Sequence, residues 1–249
     1  FRTRSRLPNR FQINFRNHRK MVVVDGFWAT TGGVNLGVEY LGLTEQFGDW
    51  RDTMIAVEGP AVQEIQLAYA EDWTFLTGDV PAWNWQPQEM ADSDRSVLVL
   101  PTGPADELHT CSMMFTQVIH TAEERLWITS PYFVPDKEIV RALQLAAMRG
   151  VDVRILLPDE PDHRMVYWAS FTYLEELEKT GVRFFRYTAG LLHEKVVLVD
   201  DWLALVGYDA DYVFREPYAR TLADKDRVAT EWQRITGSDW GVPYGASPL

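Results

Sequence analysis

Two short stretches of the chain combine residue types that perform phosphoryl chemistry. Residues 17–25 read NHRKMVVVD and residues 192–200 read LHEKVVLVD. In each, a histidine stands two residues before a lysine, and an aspartate closes a run of four apolar residues. Charged groups are costly beside a buried apolar run unless they are paired or used. His18 and Lys20 fall at the start of a short, strand-like run with side chains on one face, and Met21–Val24 is expected to be a buried strand. A shift of 175 residues (193 − 18) lays His18 on His193, Lys20 on Lys195, Asp25 on Asp200 and Gly32 on Gly207. One such copy carries little weight, but two with the spacing H-x-K-x4-D-x6-G make an internal repeat, and repeats specify architecture.

Two histidines, two lysines and two aspartates supplied in equal halves suit phosphodiester exchange without a metal. Imidazole is a nucleophile that can carry a covalent phospho-intermediate, which splits one hard displacement into two easier ones. A second imidazole can protonate the leaving alkoxide and then deprotonate the incoming hydroxyl. Lys20 and Lys195 would neutralise charge on the non-bridging oxygens, and Gly33 with Asn35 would add donors to the substrate phosphate. Asp25 and Asp200 are expected to hold one nitrogen of each imidazole and fix its tautomer. The two copies are unequal beyond the glycine: Gly33-Val34-Asn35 follows the first, Tyr208-Asp209-Ala210 the second. No HExxH run and no cysteine cluster is present, and His109, His120 and His163 fall on helical stretches without ligand spacing. Neither a metal nor another cofactor is expected. His163, in Asp162-His163-Arg164 at a helix start, is the outlying histidine closest to a predicted sheet edge.

These side chains need a scaffold, and composition allows one. A chain of 249 residues with 46% hydrophobic and 13% aromatic residues can bury a substantial core. The single cysteine, Cys111, lies in an apolar helical pattern and reads as a core thiol. No apolar stretch reaches membrane-spanning length. The net charge of −12 argues against nucleic acid as a partner, yet residues 1–20 carry six arginines and a lysine with no acid among them. That arm is either a solvated surface or one that attracts phosphate groups.

GPAVQEIQLAYAEDWTFLTG has Val62, Ile65, Tyr69 and Trp73 on one helical face, and DVPAWNWQPQEMADSDRS then reads as a linker. Trp73, Phe75, Trp83 and Trp85 are expected to pack that linker onto its neighbours, with a membrane interface as the alternative. Beyond it, helices alternate with the strands RLWITSPYF, VDVRILLP, VRFFRYTAG and LLHEKVVLVD, which indicates an α/β layered structure. The expected division is residues 1–78 as the closing part of a first half, 79–96 as linker, and 97–249 as a second half with an atypical tail after 207. Roughly 96 residues of helix and strand precede His193 within its half while 17 precede His18, so the first half is expected to be incomplete. The tail reads as polar and loosely structured rather than as a closing strand.

At these residues the sequence resembles the phospholipase D superfamily, whose mark is the duplicated H-x-K-x4-D motif, and within it the bacterial cardiolipin synthases. The stretches NFRNHRKMVVVDG, TGGVNLGVEYLG, FGDWRDTMIAVEGPAVQ, TSPYFVPD, LAAMRGVDVRILLPDEPDH and HEKVVLVDDWLALVG carry the resemblance. It implies a phospholipase D-like fold of two pseudo-repeated α/β/α halves that share one active site. It also implies a phosphatidyltransferase that makes cardiolipin from two phosphatidylglycerol molecules, with His18 as nucleophile and His193 as acid and base. Partners would be phosphatidylglycerol, other anionic phospholipids and the membrane surface, with no nucleic acid. The location would be the bacterial cell membrane, with membrane helices upstream of this chain. The family's second motif continues G-[ST]-x-N-x-D-x-R-S, where this chain reads GYDADYVFR. Two other readings stay open: a phospholipase D-type phosphodiesterase or nuclease with water as acceptor, and a catalytically impaired remnant that only binds phosphate or membrane.

Overall fold

Both motifs fold as β-hairpins, and the 175-residue shift survives in their register. In the first, β1 (Lys20–Val24) pairs antiparallel with β2 (Trp28–Gly32), Lys20 opposite Gly32 and Val24 opposite Trp28. In the second, β10 (Val196–Val199) pairs with β11 (Leu203–Val206), Val199 opposite Leu203, and the Gly207 amide donates to Lys195 O at 2.8 Å. The molecule was analysed as a computed structural model that describes residues 18–43, 48–91, 93, 95–102, 108–160, 164–207 and 212–215. The basic arm at 1–17, His163 and Tyr208–Ala210 lie outside the described residues.

The second half is built around a seven-stranded sheet in which β5 (Ser96–Val99) and β12 (Tyr212–Arg215) come first, followed by β11, β10 and three parallel strands. Its parallel side consists of β6 (Arg125–Thr129), β7 (Asp152–Pro158) and β8 (Arg183–Tyr187). Helices α2 (Thr110–Thr121), α3 (Lys137–Met148) and α4 (Arg164–Glu178) lie between its strands in the chain. β7 is flanked on both sides, and its Val153, Ile155, Leu156 and Leu157 are buried, as a continuous apolar run requires. Helix α3 begins where Asp136 caps it, its carboxylate accepting from the Ile139 amide at 3.0 Å, and ends before Gly150. At the start of β7, burial works to raise the Asp152 carboxyl, but hydrogen bonds from Arg154 and Arg183 outweigh it and hold it below the usual carboxylate range.

The smaller sheet, in the order β1-β2-β4, packs against α1 (Val62–Thr77), with β4 spanning Met54–Glu58. Its helix buries Val62 and Ile65, whereas Tyr69 and Trp73, expected on the same buried face, are 38% and 43% exposed. Tyr69 instead meets Trp83, 5.5 Å between ring centroids, and Trp83 stacks on Trp85. Asn84 donates to Asp25 O, so residues 79–91 lie along the first hairpin turn and α1.

Four local expectations are corrected. β1 is not a buried strand: Met21 and Val23 are half-buried and Val22 and Val24 are 51% and 46% exposed, while the repeat mates of the latter pair, Val197 and Val199, are fully buried. β10 lies between β11 and β6, but among the described residues β1 closes its sheet order. LLHEKVVLVD is two strands, β9 (Leu191–Leu192) and β10, because the His193 amide leaves the large sheet to donate to Arg51 O at 2.8 Å. RLWITSPYF stops as a strand at Thr129, since Pro131 has no amide hydrogen to continue a ladder. Finally, the segment after 207 does contain a strand: β12 (Tyr212–Arg215) inserts between β11 and β5 (Ser96–Val99).

Candidate active site

A two-residue parallel ladder joins the halves and sets the register of the site. β3 (Trp50–Arg51) pairs with β9, Trp50 opposite Leu191 and Arg51 opposite Leu192, and Leu191 N donates to Asp49 O at 2.8 Å. Gly190 permits this approach, because a Cβ there would lie 2.2 Å from Asp49 O. One residue past the ladder on each side stand Asp52 and His193.

The Asp52 carboxylate lies 2.8 Å from His193 Nδ1, and its side chain is 1% exposed. A carboxylate only accepts, so Nδ1 carries a hydrogen and Nε2 is the nitrogen left to give or take a proton. The Lys195 ammonium lies 3.2 Å from both ring nitrogens and donates to His193 O at 3.0 Å. Lys195 is 4% exposed, so its charge acts in a poorly screened setting. Trp50 and Tyr132 frame the ring, with centroids 5.3 and 6.3 Å away. Tyr132 comes from the turn after β6, where Thr129 lies opposite Val196, so the site sits beyond the carboxyl ends of the parallel strands.

Between the histidine and the lysine lies Glu194, 5% exposed. Its Oε1 accepts from the Thr53 hydroxyl and from Arg51 at 3.4 Å, which pairs a charge that burial would otherwise penalise. The equivalent residue of the first motif, Arg19, pairs with Asp72 on α1 at 3.1 Å.

The first motif reaches the same place through its sheet. Lys20 lies opposite Gly32, Gly32 lies opposite Met54, and the Gly33 amide donates to Thr53 O at 3.0 Å. The His18–Lys20 end of β1 and the Asp52–Thr53 segment therefore share one end of the small sheet. His18 itself is exposed and Lys20 half-buried. Gly33 does not offer the expected donor to the substrate phosphate, because its amide is already taken by Thr53 O. It serves by lacking a side chain, since a Cβ would lie 2.0 Å from the Asp52 carboxylate. Asn35 is exposed and donates its amide to the Tyr40 hydroxyl at 2.7 Å, and Tyr40 packs on Trp50.

The motif aspartates lie at the other ends of their strands. A strand rises roughly 3.3 Å per residue, so seven residues of nearly extended chain carry Asp200 well away from His193. Asp200 accepts from the amides of Glu123, Glu124 and Arg125 at 2.8–3.1 Å, and it fixes the start of β6 against the hairpin. Asp25 and Asp200 are the two positive-φ residues other than glycine among those described, at 53° and 49°. The repeated aspartate is thus a turn residue that tolerates the left-handed region, and Asp52 holds His193 in its place. Among the described residues no group of three or more histidine, cysteine, aspartate or glutamate side chains could hold a metal ion. His120 is exposed and donates from Nδ1 to Thr116 O at 2.6 Å, an ordinary helix-surface contact.

A family model described as "Cardiolipin synthase, PLD-like domain" matches residues 115–207. Cardiolipin synthase A of Pseudomonas syringae pv. syringae strain B728a is 51% identical over 207 residues, 83% of this chain. The chain belongs to the cardiolipin synthase family of the phospholipase D superfamily. Cardiolipin synthase A of Pseudomonas aeruginosa strain LESB58 is 52% identical over 208 residues, again 83% of the chain. The chain spans 43% and 42% of these two relatives. The crystal structure of phosphatidylserine synthase from Haemophilus influenzae Rd KW20 superposes with a TM-score of 0.61 at 15% identity. That superposition covers 88% of this chain and 62% of the other, a likeness of fold.

The sequence reading missed Asp52, Trp50, Arg51, Glu194 and Tyr132. A usable signal existed for the first three. Trp50-Arg51-Asp52 sets charges immediately before the apolar run of β4, the same pattern that drew attention to the motifs in this cardiolipin synthase relative.

Proposed function

We propose that this chain carries the catalytic centre of a phosphatidyltransferase that makes cardiolipin and glycerol from two phosphatidylglycerol molecules at a bacterial membrane. In this reading the phosphorus forms a bond to His18 Nε2 while its bond to the departing glycerol oxygen breaks, and His193 gives that oxygen its proton. The terminal hydroxyl of a second phosphatidylglycerol then displaces His18, and its proton passes to His193 Nε2. Asp52 stabilises the imidazolium that alternates with imidazole, and Lys20 with Lys195 balances charge on the non-bridging oxygens. Asn35 is proposed as a phosphate donor once released from Tyr40. The division at residues 78 and 96 into the closing part of a first half, a linker and a second half belongs to the same proposal. Anionic phospholipid is the substrate class and nucleic acid is not.

The observation that supports this reading most is the Asp52–His193 contact across the halves, which occupies Nδ1 and leaves Nε2 as the nitrogen free to exchange protons. Products formed from phosphatidylglycerol vesicles test it. Cardiolipin and glycerol in equal amounts are expected. Phosphatidic acid alone would make the protein a hydrolase, and cleavage of single-stranded DNA in preference to lipid would make it a nuclease.

A further inference from the structure

Next to the site lies a segment whose apolar side chains are exposed and have no cover among the described residues. Leu36 is 105% exposed, Val38 61%, Leu41 69% and Leu43 72%. The 3-10 turn Val38–Leu41 holds two of them, and left-handed Gly42 closes it. Within residues 36–43 the one charged residue is Glu39. Single exposed leucines are ordinary on a protein surface, but four in eight residues, all more than half exposed, mark an interaction site.

Three contacts join this segment to the catalytic imidazole. The Asn35 amide donates to the Tyr40 hydroxyl at 2.7 Å, Tyr40 packs on Trp50 at 4.4 Å, and Trp50 lies 5.3 Å from His193. We infer that Leu36–Leu43 enters the apolar region of a phospholipid bilayer and thereby holds the site at headgroup depth. The inference rests on the lipid-transfer reading above and adds the surface that would deliver the lipid. A diester phosphate at His193 leaves its acyl chains in need of an apolar medium, and this aliphatic segment is joined to the ring through Tyr40 and Trp50. Protein–protein interfaces favour aromatic and arginine anchors at their centre, whereas the exposed residues here are leucine and valine. The amphipathic rings of Tyr40 and Trp50 lie between them and the polar site, the order found at a membrane interface. Without a lysine or arginine in the segment, docking is driven by apolar burial and resists salt.

The test uses the full chain and Leu41→Asp/Leu43→Asp, with Leu43→Asp as a milder second variant, all checked for fold by circular dichroism. Co-sedimentation with phosphatidylglycerol–phosphatidylcholine vesicles is measured at low and high salt. In parallel, turnover of a short-chain phosphodiester is followed below its micellar concentration. The double variant is expected to bind vesicles at least about tenfold more weakly at either salt, since two buried leucines are lost, with turnover of the soluble diester unchanged. Equal vesicle binding by wild type and double variant overturns the inference. So does self-association of the wild type that the variant loses while vesicle binding persists, because the surface would then serve a second copy. Wild type that docks through these residues yet turns over neither lipid nor soluble diester supports the docking surface and refutes the transferase reading.

Discussion

Asp52 acquires its place from a count of residues. β3 and β9 run parallel with Arg51 opposite Leu192, so the next residue on each strand, Asp52 and His193, must meet. A carboxylate at Nδ1 whose side chain is 1% exposed fixes the ring's tautomer and orientation. Asparagine keeps the shape and removes the charge. Asp52→Asn is therefore expected to slow turnover of a soluble phosphodiester by on the order of a hundredfold or more, with the circular dichroism spectrum unchanged. A loss below fivefold would show that Asp52 only fills space. His193 and Lys195 were legible in the sequence because two charges flanking an apolar run need a purpose. The sequence marks Asp52 only as a charge before the apolar run of β4; its role was not legible, because its partner lies 141 residues away and only the β3–β9 ladder brings them together.

At the scale of elements, the repeated aspartates give the clearest difference between sequence and structure. The motif's repeat correctly places a strand in each copy, but it cannot say that each strand turns into a hairpin, which residues face a ligand or which hold a turn. Asp200 uses both carboxylate oxygens on the amides of residues 123–125 and adopts a φ that most side chains avoid. Asp200→Ala loses those charge-assisted bonds and strains the turn, for an expected loss of about 2 kcal/mol or more in urea unfolding. Asp200→Asn keeps an acceptor and tolerates the left-handed region, so it should cost less than about 1 kcal/mol. Equal losses in the two variants would mean the carboxylate is not what anchors β6. The strand β12 escaped the sequence reading for a related reason. Tyr212-Val213-Phe214-Arg215 is short and flanked by charged residues, and β5, which pairs on its other side from β11, is distant in sequence.

Across the whole molecule, two hairpins of the same design meet different surroundings. β10 is an interior strand whose Val197 and Val199 are fully buried, while Val22 and Val24 on β1 remain about half exposed. Most of the α/β order was legible because each helix and strand carries its own period and caps. The meeting of the halves was not, since Gly190, Gly33 and the β3–β9 ladder act through close approach and not through local pattern. The central claim is that one motif end from each half forms a single centre in which His18 takes the phosphoryl group and His193 moves protons. The most direct measurement is to mix the protein with 32P-labelled phosphatidylglycerol, quench in alkali to preserve phosphohistidine, and locate the label by peptide mapping. Label on His18 is predicted, absent in His18→Ala and retained at a slower rate of turnover in His193→Ala. Equal labelling of wild type and His18→Ala, or label confined to His193, would contradict that assignment.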